Sequence, residues 1–188
     1  MTGVDTKFMN YNEYKKVIEG TTGFLVPGQE QWLFGQAVQR RNGEVLLEIG
    51  SYYGRSSLCL GFPLKNTDSV LFCVDKWEDG RCAVYKDWEK NILSNGLQNN
   101  VFPIQMHSHK ALEGLKTPFA DFIFIDGDHE YETVVKDIDN AYSLLKEGGM
   151  VAVHDVIDKF PGILKAWVEK RNLFKDRGRC TSIAYGYK

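Results

Sequence analysis

At 188 residues the chain has the length of one domain with a substantial core. Its formal net charge is −2, and its Lys and Arg residues are spread along the chain rather than clustered. This distribution indicates neither a nucleic-acid face nor a membrane-binding patch. No stretch approaches the roughly 18 apolar residues of a membrane span. We therefore expect no nucleic-acid partner and no membrane partner.

The four cysteines are Cys59, Cys73, Cys82 and Cys180, and none of them forms a C-x-x-C pair. Residues 1–12 are polar and mixed, without the charged leader and apolar run of a secretory signal. Both features favour free, buried thiols in a reducing compartment. The sequence therefore predicts a cytoplasmic protein.

The N-terminal part is expected to be helical, with amphipathic stretches at Tyr11–Glu19 and Gln29–Arg41. We expect residues 1–42 to form a cap segment and residues 43–188 to form the ligand-binding part of a single domain. The cap segment either lies across a ligand crevice as a lid or covers the edge of the sheet.

A strand followed by a glycine turn organises the rest of the chain. Val45–Ile49 is short, branched and apolar, which is typical of a buried parallel strand. Gly50 and Gly54 allow a tight turn that a ligand can approach, and a helix is predicted from about Arg55 with its N-terminus facing the crevice. The G-x-x-x-G spacing is not the dinucleotide fingerprint. Ligand binding and a plain strand-to-helix turn therefore both remain open.

Further strands alternate with helices along the chain. The predicted strands are Val70–Val74, Val101–Ile104, Phe119–Asp126 and Met150–Val153, and the predicted helices are Val84–Ser94, Lys110–Leu115, Tyr131–Lys146 and Pro161–Arg171. Pro103 indicates an edge strand, because it cannot donate to a ladder.

Two strand-like pieces around Asp176–Arg179 predict a terminal hairpin, whose exposed edge is a plausible homodimer surface. The expected fold is therefore α/β: a Rossmann-like, doubly wound, mainly parallel sheet with helices on both faces and a C-terminal antiparallel hairpin.

Acidic residues and histidines follow the predicted strands, at the edge where open α/β sheets bind ligands. Asp75 ends the second strand, about 20 residues after Gly54, where an acid accepts hydrogen bonds from ribose hydroxyls. A turn-forming role is the alternative.

Asp126, His154 and Asp155 follow neighbouring strands and could share one divalent cation. Alternatively, Asp155 caps a helix and His154 fills the end of the sheet. His129 is the candidate general base, because an imidazole titrates near pH 6.5. Its alternative role, together with Glu130, is to open the following helix.

Three motifs together resemble the class I S-adenosylmethionine-dependent methyltransferases. They are E-I-G-x-x-x-G at Glu48–Gly54 with Asp75, F-I-D-G-D-H-x-Y at Phe124–Tyr131, and G-G-x-x-x-x-H-D-V at Gly148–Val156. Within that class they are most similar to metal-dependent O-methyltransferases of the macrocin and mycinamicin sugar type. The resemblance implies methyl transfer to a hydroxyl of a small molecule, of sugar or natural-product type.

The resemblance also implies roles for individual residues. Glu48, Gly50 and Gly54 would surround the methionine end of S-adenosylmethionine, Asp75 would hold the ribose, and Ser108 would lie beside the adenine. The implied cofactor-binding set is completed by Ser51, Ser56, Lys76 and Asp126. Asp126 and Asp155 match metal-ligand positions for Mg²⁺ or Mn²⁺, and His129 matches the base. His154 is a departure, because relatives that bind magnesium often carry a carboxylate there.

Three other functions compete with methyl transfer. A nicotinamide-dependent oxidoreductase ranks low, because G-x-G-x-x-G is absent. A metal-dependent phosphoesterase is suggested by Gly127-Asp128-His129-Glu130, with His107 and His109 as further ligands. A non-catalytic S-adenosylmethionine-binding module is the third. Acceptor contacts are expected from the N-terminal segment and from the loops at 77–83 and 158–162.

Overall fold

The structure is a computed structural model, and it describes residues 9–77 and 82–188. Most of the predicted acceptor loop at 77–83 and the polar start of the chain through residue 8 lie outside these residues. In the two described ranges, no helix has the length and apolar content needed to cross a membrane.

One seven-stranded sheet forms the centre of the fold. Its strands are β1 (Val45–Ile49), β2 (Val70–Asp75), β3 (Val101–Gln105), β4 (Ala120–Ile125), β5 (Leu145–Val153), β6 (Lys175–Cys180) and β7 (Ile183–Tyr187). They lie in the order β3-β2-β1-β4-β5-β7-β6. Strands β1 to β5 pair in parallel, and β7 is antiparallel to both β5 and β6. The predicted mainly parallel sheet with a C-terminal antiparallel hairpin is confirmed.

Helices cover both faces of this sheet. They are α1 (Tyr11–Gly20), α2 (Gln29–Val38), α3 (Arg55–Gly61), α4 (Cys82–Ser94), α5 (Ser108–Ala111), α6 (Tyr131–Leu144) and α7 (Pro161–Lys170), with short 3-10 turns at Phe62–Leu64 and Arg171–Leu173. Alternate residues of β1 enter different cores: Leu46 belongs to the same buried cluster as Trp88 of α4, and Leu47 to the same buried cluster as Ile138 of α6. This alternation is what a strand buried on both faces requires.

The N-terminal helices share the core of the sheet. Ile18 of α1 and Leu33 and Phe34 of α2 are buried in the same cluster as Leu58 of α3. Helices α1 and α2 therefore cover one face of the sheet. The connection between them, residues 21–28, leads toward the carboxyl ends of the strands.

Several predicted boundaries are wrong. Helix α5 spans Ser108–Ala111 rather than Lys110–Leu115, and β5 begins at Leu145 rather than at Met150. The hairpin turns at Thr181 and Ser182, not at Asp176–Arg179, which lie within β6. Strand β6 is at the edge of the sheet and largely exposed, so polar residues are compatible with it. Helix α6 ends at Leu144, before Gly148 and Gly149, because the backbone of Leu145 is already extended and begins β5. Pro103 lies in edge strand β3, as predicted.

Candidate functional site

The sheet order places the predicted site residues at one edge. Strand β4 lies between β1 and β5, so the glycine turn after β1, Asp126 after β4, and His154 and Asp155 after β5 are neighbours. Parallel strands bring their carboxyl ends to the same side of the sheet. This edge is the candidate active site.

Gly50 and Gly54 shape the turn through conformation and packing. Both have positive φ, 88° and 93°, which favours glycine. A Cβ on Gly50 would collide with the backbone carbonyl of Asp126, and a Cβ on Gly54 would lie 2.9 Å from the Trp88 ring. The glycines therefore let the β1 turn approach β4 and α4 closely.

Asp75 holds the glycine turn from the neighbouring strand. Its Oδ2 atom accepts hydrogen bonds from the backbone N–H groups of Ser51 (3.0 Å) and Tyr52 (2.9 Å). Its Oδ1 atom accepts one from Trp77 N–H (3.0 Å). Each carboxylate oxygen has room for further donors in principle. The structure thus shows a turn-stabilising role for Asp75, and the ribose-binding role remains a prediction.

Glu48 lies beneath the turn and is fully buried. Its Oε2 atom accepts hydrogen bonds from the hydroxyls of Ser51 (2.6 Å) and Ser57, while Oε1 has no partner among the described residues. Burial raises the pKa of Glu48, and the surrounding hydroxyls oppose that change. Glu48 therefore supports the turn from below, through the hydroxyls of Ser51 and Ser57.

The other predicted cofactor residues differ in exposure. Ser56 is buried in α3, whereas Lys76 after β2 and Ser108 at the start of α5 are half-buried. Trp77 is 1% exposed and packs against Trp88 at a ring-centroid distance of 5.2 Å. Trp77 is therefore part of the core, and it does not line the crevice.

Asp126, His154 and Asp155 form what we call the strand-end cluster. The Nδ1 atom of His154 lies 3.0 Å from Oδ1 of Asp126 and 3.5 Å from Oδ1 of Asp155. One ligand atom from each residue lies within 4.8 Å of the others. Within residues 9–77 and 82–188 this is the one such group of three His, Cys, Asp or Glu side chains.

His154 is the buried member of the strand-end cluster. Its side chain is 2% exposed, and its Nε2 atom lies 3.0 Å from Oε1 of Gln29 and 3.4 Å from Oγ of Ser182. Burial lowers the pKa of this imidazole, but the hydrogen bonds and charges of Asp126 and Asp155 outweigh burial and raise it from 6.5 to about 10. The two carboxylates thus favour the protonated form of the His154 imidazole.

His129 is the accessible histidine of the site. Its side chain is 44% exposed, and its Nε2 atom lies 3.6 Å from Oδ2 of Asp155. The Phe160 ring packs against the imidazole at 4.4 Å between ring centroids. The preceding Asp128 caps the local backbone by accepting hydrogen bonds from the N–H groups of His129 and Glu130. His129 thus combines an ordered position with an exposed imidazole.

The strand-end cluster fits a divalent cation. Ligand atoms at about 2.1 Å from an ion lie roughly 3.0 Å apart in octahedral geometry and 3.4 Å apart in tetrahedral geometry. Of the separations around Nδ1 of His154, 3.0 Å is close to the octahedral spacing and 3.5 Å is close to the tetrahedral one. An ion would replace the Nδ1 proton, since a metal ligand must be deprotonated.

Comparison with known proteins places the chain in a family. Residues 47–156, more than half of the chain, match the methyltransferase domain family. The chain belongs to this family. A relative named "Probable caffeoyl-CoA O-methyltransferase 3", from Dictyostelium discoideum, is 23% identical over 156 residues, which are 82% of this chain and 59% of the relative. The chain thus spans less than two thirds of that protein.

Solved structures share the fold of this methyltransferase domain. The O-methyltransferase from Bacillus cereus, solved with S-adenosylhomocysteine, superposes with a TM-score of 0.68 at 17% identity, covering 100% of this chain and 93% of that one. TomG from Streptomyces achromogenes, involved in tomaymycin synthesis and solved with S-adenosylmethionine, has a TM-score of 0.68 at 17% identity, covering 94% and 88%. At these identities the similarity establishes the fold alone.

Three residues contact the candidate site without having been predicted from the sequence. Gln29 and Ser182 reach His154 from α2 and from the hairpin turn, and Ser57 reaches Glu48 from α3. Ser57 carried a weak signal, because it lies three residues after Gly54, in the first turn of α3. Gln29 and Ser182 carried none, because only the folded chain brings them to β5.

A surface depression lies on the domain away from the strand-end cluster. It measures about 660 Å³ and lies between α6 and residues 109–116, lined by Lys136, Asp139 and His109 among others. Asp139 is already paired with Lys170 at 2.8 Å, and the strand-end cluster does not border this depression. We place the functional site at the strand ends, because the ligand-capable side chains converge there.

Proposed function

We propose that this methyltransferase domain transfers the methyl group of S-adenosylmethionine to a hydroxyl of a small molecule, of sugar or natural-product type. The observation that carries the proposal is the strand-end cluster, which lies beside the glycine turn and has an accessible histidine at its rim. The cluster supplies ligands for a divalent ion, and His129 supplies the base.

The cofactor would bind along the turn after β1 and the end of β2. In the proposal Gly50, Ser51, Gly54 and Ser56 form the methionine end of the site, with Glu48 supporting it from below. Asp75 and Lys76 face the ribose, Ser108 faces the adenine, and Asp126 closes the site toward β4. The free N–H groups at the start of α3 favour the negatively charged carboxylate of the methionine moiety.

Asp126, His154 and Asp155 would hold Mg²⁺ or Mn²⁺. Two carboxylates suit both ions, and an imidazole nitrogen favours Mn²⁺ over Mg²⁺. Such an ion, when bound, lowers the pKa of a neighbouring hydroxyl. The contribution of the chain is to fix three ligand atoms and to exclude water from His154, which is buried.

The different exposure of the two histidines supports different roles: His154 as a metal ligand and His129 as the base. His154 has both ring nitrogens engaged, Nδ1 by carboxylates and Nε2 by Gln29. His129 is 44% exposed, so its imidazole is free to take a proton from an acceptor hydroxyl in the crevice. The sulfonium already activates the methyl group, so alignment and proton removal are the tasks left to the protein.

The connection between α1 and α2 is the proposed lid over the acceptor. Gly23 contacts Arg55 after the glycine turn through its carbonyl (3.4 Å), and Gln29 contacts His154 after β5. The segment between them therefore spans the strand ends from β1 to β5. Phe24 in this segment is 77% exposed and stacks on Tyr52 with ring centroids 5.6 Å apart.

The phosphoesterase and the non-catalytic binding module predict different experimental results from methyl transfer. A phosphoesterase would need His107 and His109, but these follow β3 and are not in the strand-end cluster. Membership in the methyltransferase family also speaks against it. A non-catalytic binding module would bind S-adenosylmethionine without turnover. The homodimer through the β6 edge and the cytoplasmic location remain predictions.

Isothermal titration with S-adenosylhomocysteine, with and without MnCl₂, is the first test. Binding, followed by metal-dependent release of S-adenosylhomocysteine from S-adenosylmethionine with polyol and phenol acceptors, supports the proposal. Binding without turnover across the acceptor panel indicates the binding module. No binding in any condition, with chelator-sensitive hydrolysis of p-nitrophenyl phosphate, indicates the phosphoesterase.

A further inference from the structure

Gln29 is a fully buried amide that connects the start of α2 to the strand-end cluster. Its Oε1 atom accepts a hydrogen bond from Val26 N–H (2.8 Å) and lies 3.0 Å from Nε2 of His154. Its Nε2 group donates to Oγ of Ser182 at 2.8 Å. Every polar atom of this side chain therefore has a partner.

The Val26 contact fixes which way the Gln29 amide points. A backbone N–H only donates, so the amide atom facing it must be the oxygen. The same oxygen faces His154 Nε2, and an amide oxygen only accepts. The hydrogen between them therefore belongs to Nε2 of His154. Nδ1 is left as the ring nitrogen that faces Asp126 and Asp155.

We propose that Gln29 is a positioning residue of the metal site: it holds a proton on Nε2 of His154 and so presents Nδ1 to the ion. This inference rests on the proposed metal-assisted function. Histidine ligands in metalloproteins commonly donate their second ring N–H to a fixed acceptor, which orients the ring and raises its basicity. Here an amide oxygen fills that role, and it comes from the N-terminal segment rather than from the sheet.

Gln29→Met tests the proposal, because it keeps the length of the side chain and removes the acceptor. Binding of Mn²⁺ alone is measured from the electron paramagnetic resonance signal of the free ion. We expect about a 10- to 100-fold loss of Mn²⁺ affinity, the usual cost of losing such a partner. Affinity for S-adenosylhomocysteine in the presence of a chelator should stay unchanged, which shows that the domain is folded.

Two further variants separate positioning from packing. Gln29→Glu retains an acceptor for His154, so its Mn²⁺ affinity should stay within about threefold of wild type. Gln36→Met makes the same substitution further along α2, where the side-chain Oε1 atom has no hydrogen-bond partner in the described part of the chain. It should bind Mn²⁺ as the wild type does.

A direct readout does not depend on affinity. Nitrogen-15 NMR of histidine-labelled protein with Mg²⁺ or Zn²⁺ should show a protonated Nε2 on His154. A protonated Nδ1 with a bare Nε2 would overturn the proposal, even if Gln29→Met were unstable.

The failure of the proposed function is distinguishable from the failure of this inference. If the wild type binds no Mn²⁺, with or without S-adenosylhomocysteine, the metal-assisted function fails and the role of Gln29 fails with it. If the wild type binds Mn²⁺ and Asp126→Asn abolishes this binding, the metal site stands. In that case, unchanged affinity in Gln29→Met refutes only the positioning role.

Discussion

The Nε2 atom of His129 lies 3.6 Å from the Oδ2 atom of Asp155, so the accessible histidine stands directly beside the strand-end cluster. The distance is too long for a hydrogen bond of ordinary strength. An acceptor hydroxyl near Asp155 would therefore lie between the exposed His129 imidazole on one side and the proposed ion site on the other.

His129→Ala is expected to lower kcat for methyl transfer by about 10²- to 10⁴-fold, because a positioned general base contributes that much. Affinity for S-adenosylhomocysteine should not change, since His129 is not among the proposed cofactor contacts. Steady-state kinetics and isothermal titration measure the two quantities separately. His109→Ala is the matched control: this exposed histidine borders the depression near α6, and its loss should leave kcat unchanged. Full activity in His129→Ala would refute the assignment of the base.

Asp155→Gly is expected to weaken Mn²⁺ binding at least tenfold, because it removes one of three proposed ligands. Glycine is the suitable replacement, because the backbone of Asp155 has φ of 57°, a left-handed conformation that glycine adopts without strain. Mn²⁺ titration followed by electron paramagnetic resonance measures the effect. Asp158→Gly changes a nearby exposed acid and should have little influence. Equal affinities in the two variants would place the ion elsewhere.

The elements of the fold were predictable where periodicity is local. Apart from Glu48, Val45–Ile49 and Phe122–Ile125 are apolar because both faces of the central strands are buried, and that signal is visible in the sequence. The hairpin turn was not predictable in the same way. Asp176–Arg179 is polar because β6 is an exposed edge strand, and exposure of an edge produces the same composition as a turn.

The candidate site was predictable where its residues lie near strand ends, and not where they meet through long-range contacts. Asp126, His154 and Asp155 come within two residues of a strand end, and His129 comes four residues after β4, so the rule that ligands bind at carboxyl ends pointed to them. Gln29 is 125 residues from His154 in sequence, and no local pattern marks that contact. The packing role of Gly50 could not be predicted either, because the Asp126 carbonyl that excludes a Cβ follows a different strand.

Gly50→Ala is expected to destabilise the domain by more than about 3 kcal/mol, because it adds a steric collision to the usual cost of a positive φ. Gly148→Ala is the control for the backbone term alone. Its φ is 76°, and a Cβ there would meet nothing within 4 Å, so about 1–2 kcal/mol is expected. Urea denaturation of both variants gives the difference. Equal losses would mean that β4 moves away from the turn at no cost.

Asp137 provides a pH-dependent test of stability away from the proposed ion site. It is 1% exposed in α6, and neither carboxylate oxygen has a hydrogen-bond partner among the described residues. Burial raises the pKa of Asp137 from 3.8 to about 6; the nearby Ser108 hydroxyl opposes this, and the charge of Asp128 adds to it. The folded state thus holds this proton more tightly than the unfolded state.

The sign of the effect follows from that difference. As the pH rises from about 4 through about 6, the folded state must accept a buried charge, so Asp137 increasingly destabilises it. Asp137→Asn should therefore increase the free energy of unfolding at pH 8 by about 3 kcal/mol and change it little at pH 4. Asp139→Asn, on the same helix but 47% exposed and paired with Lys170, should show no such gain at either pH. Urea denaturation at the two pH values measures the free energy of unfolding. An equal increase at pH 4 and pH 8 would show that Asp137→Asn stabilises the domain through packing and not by removing the buried charge.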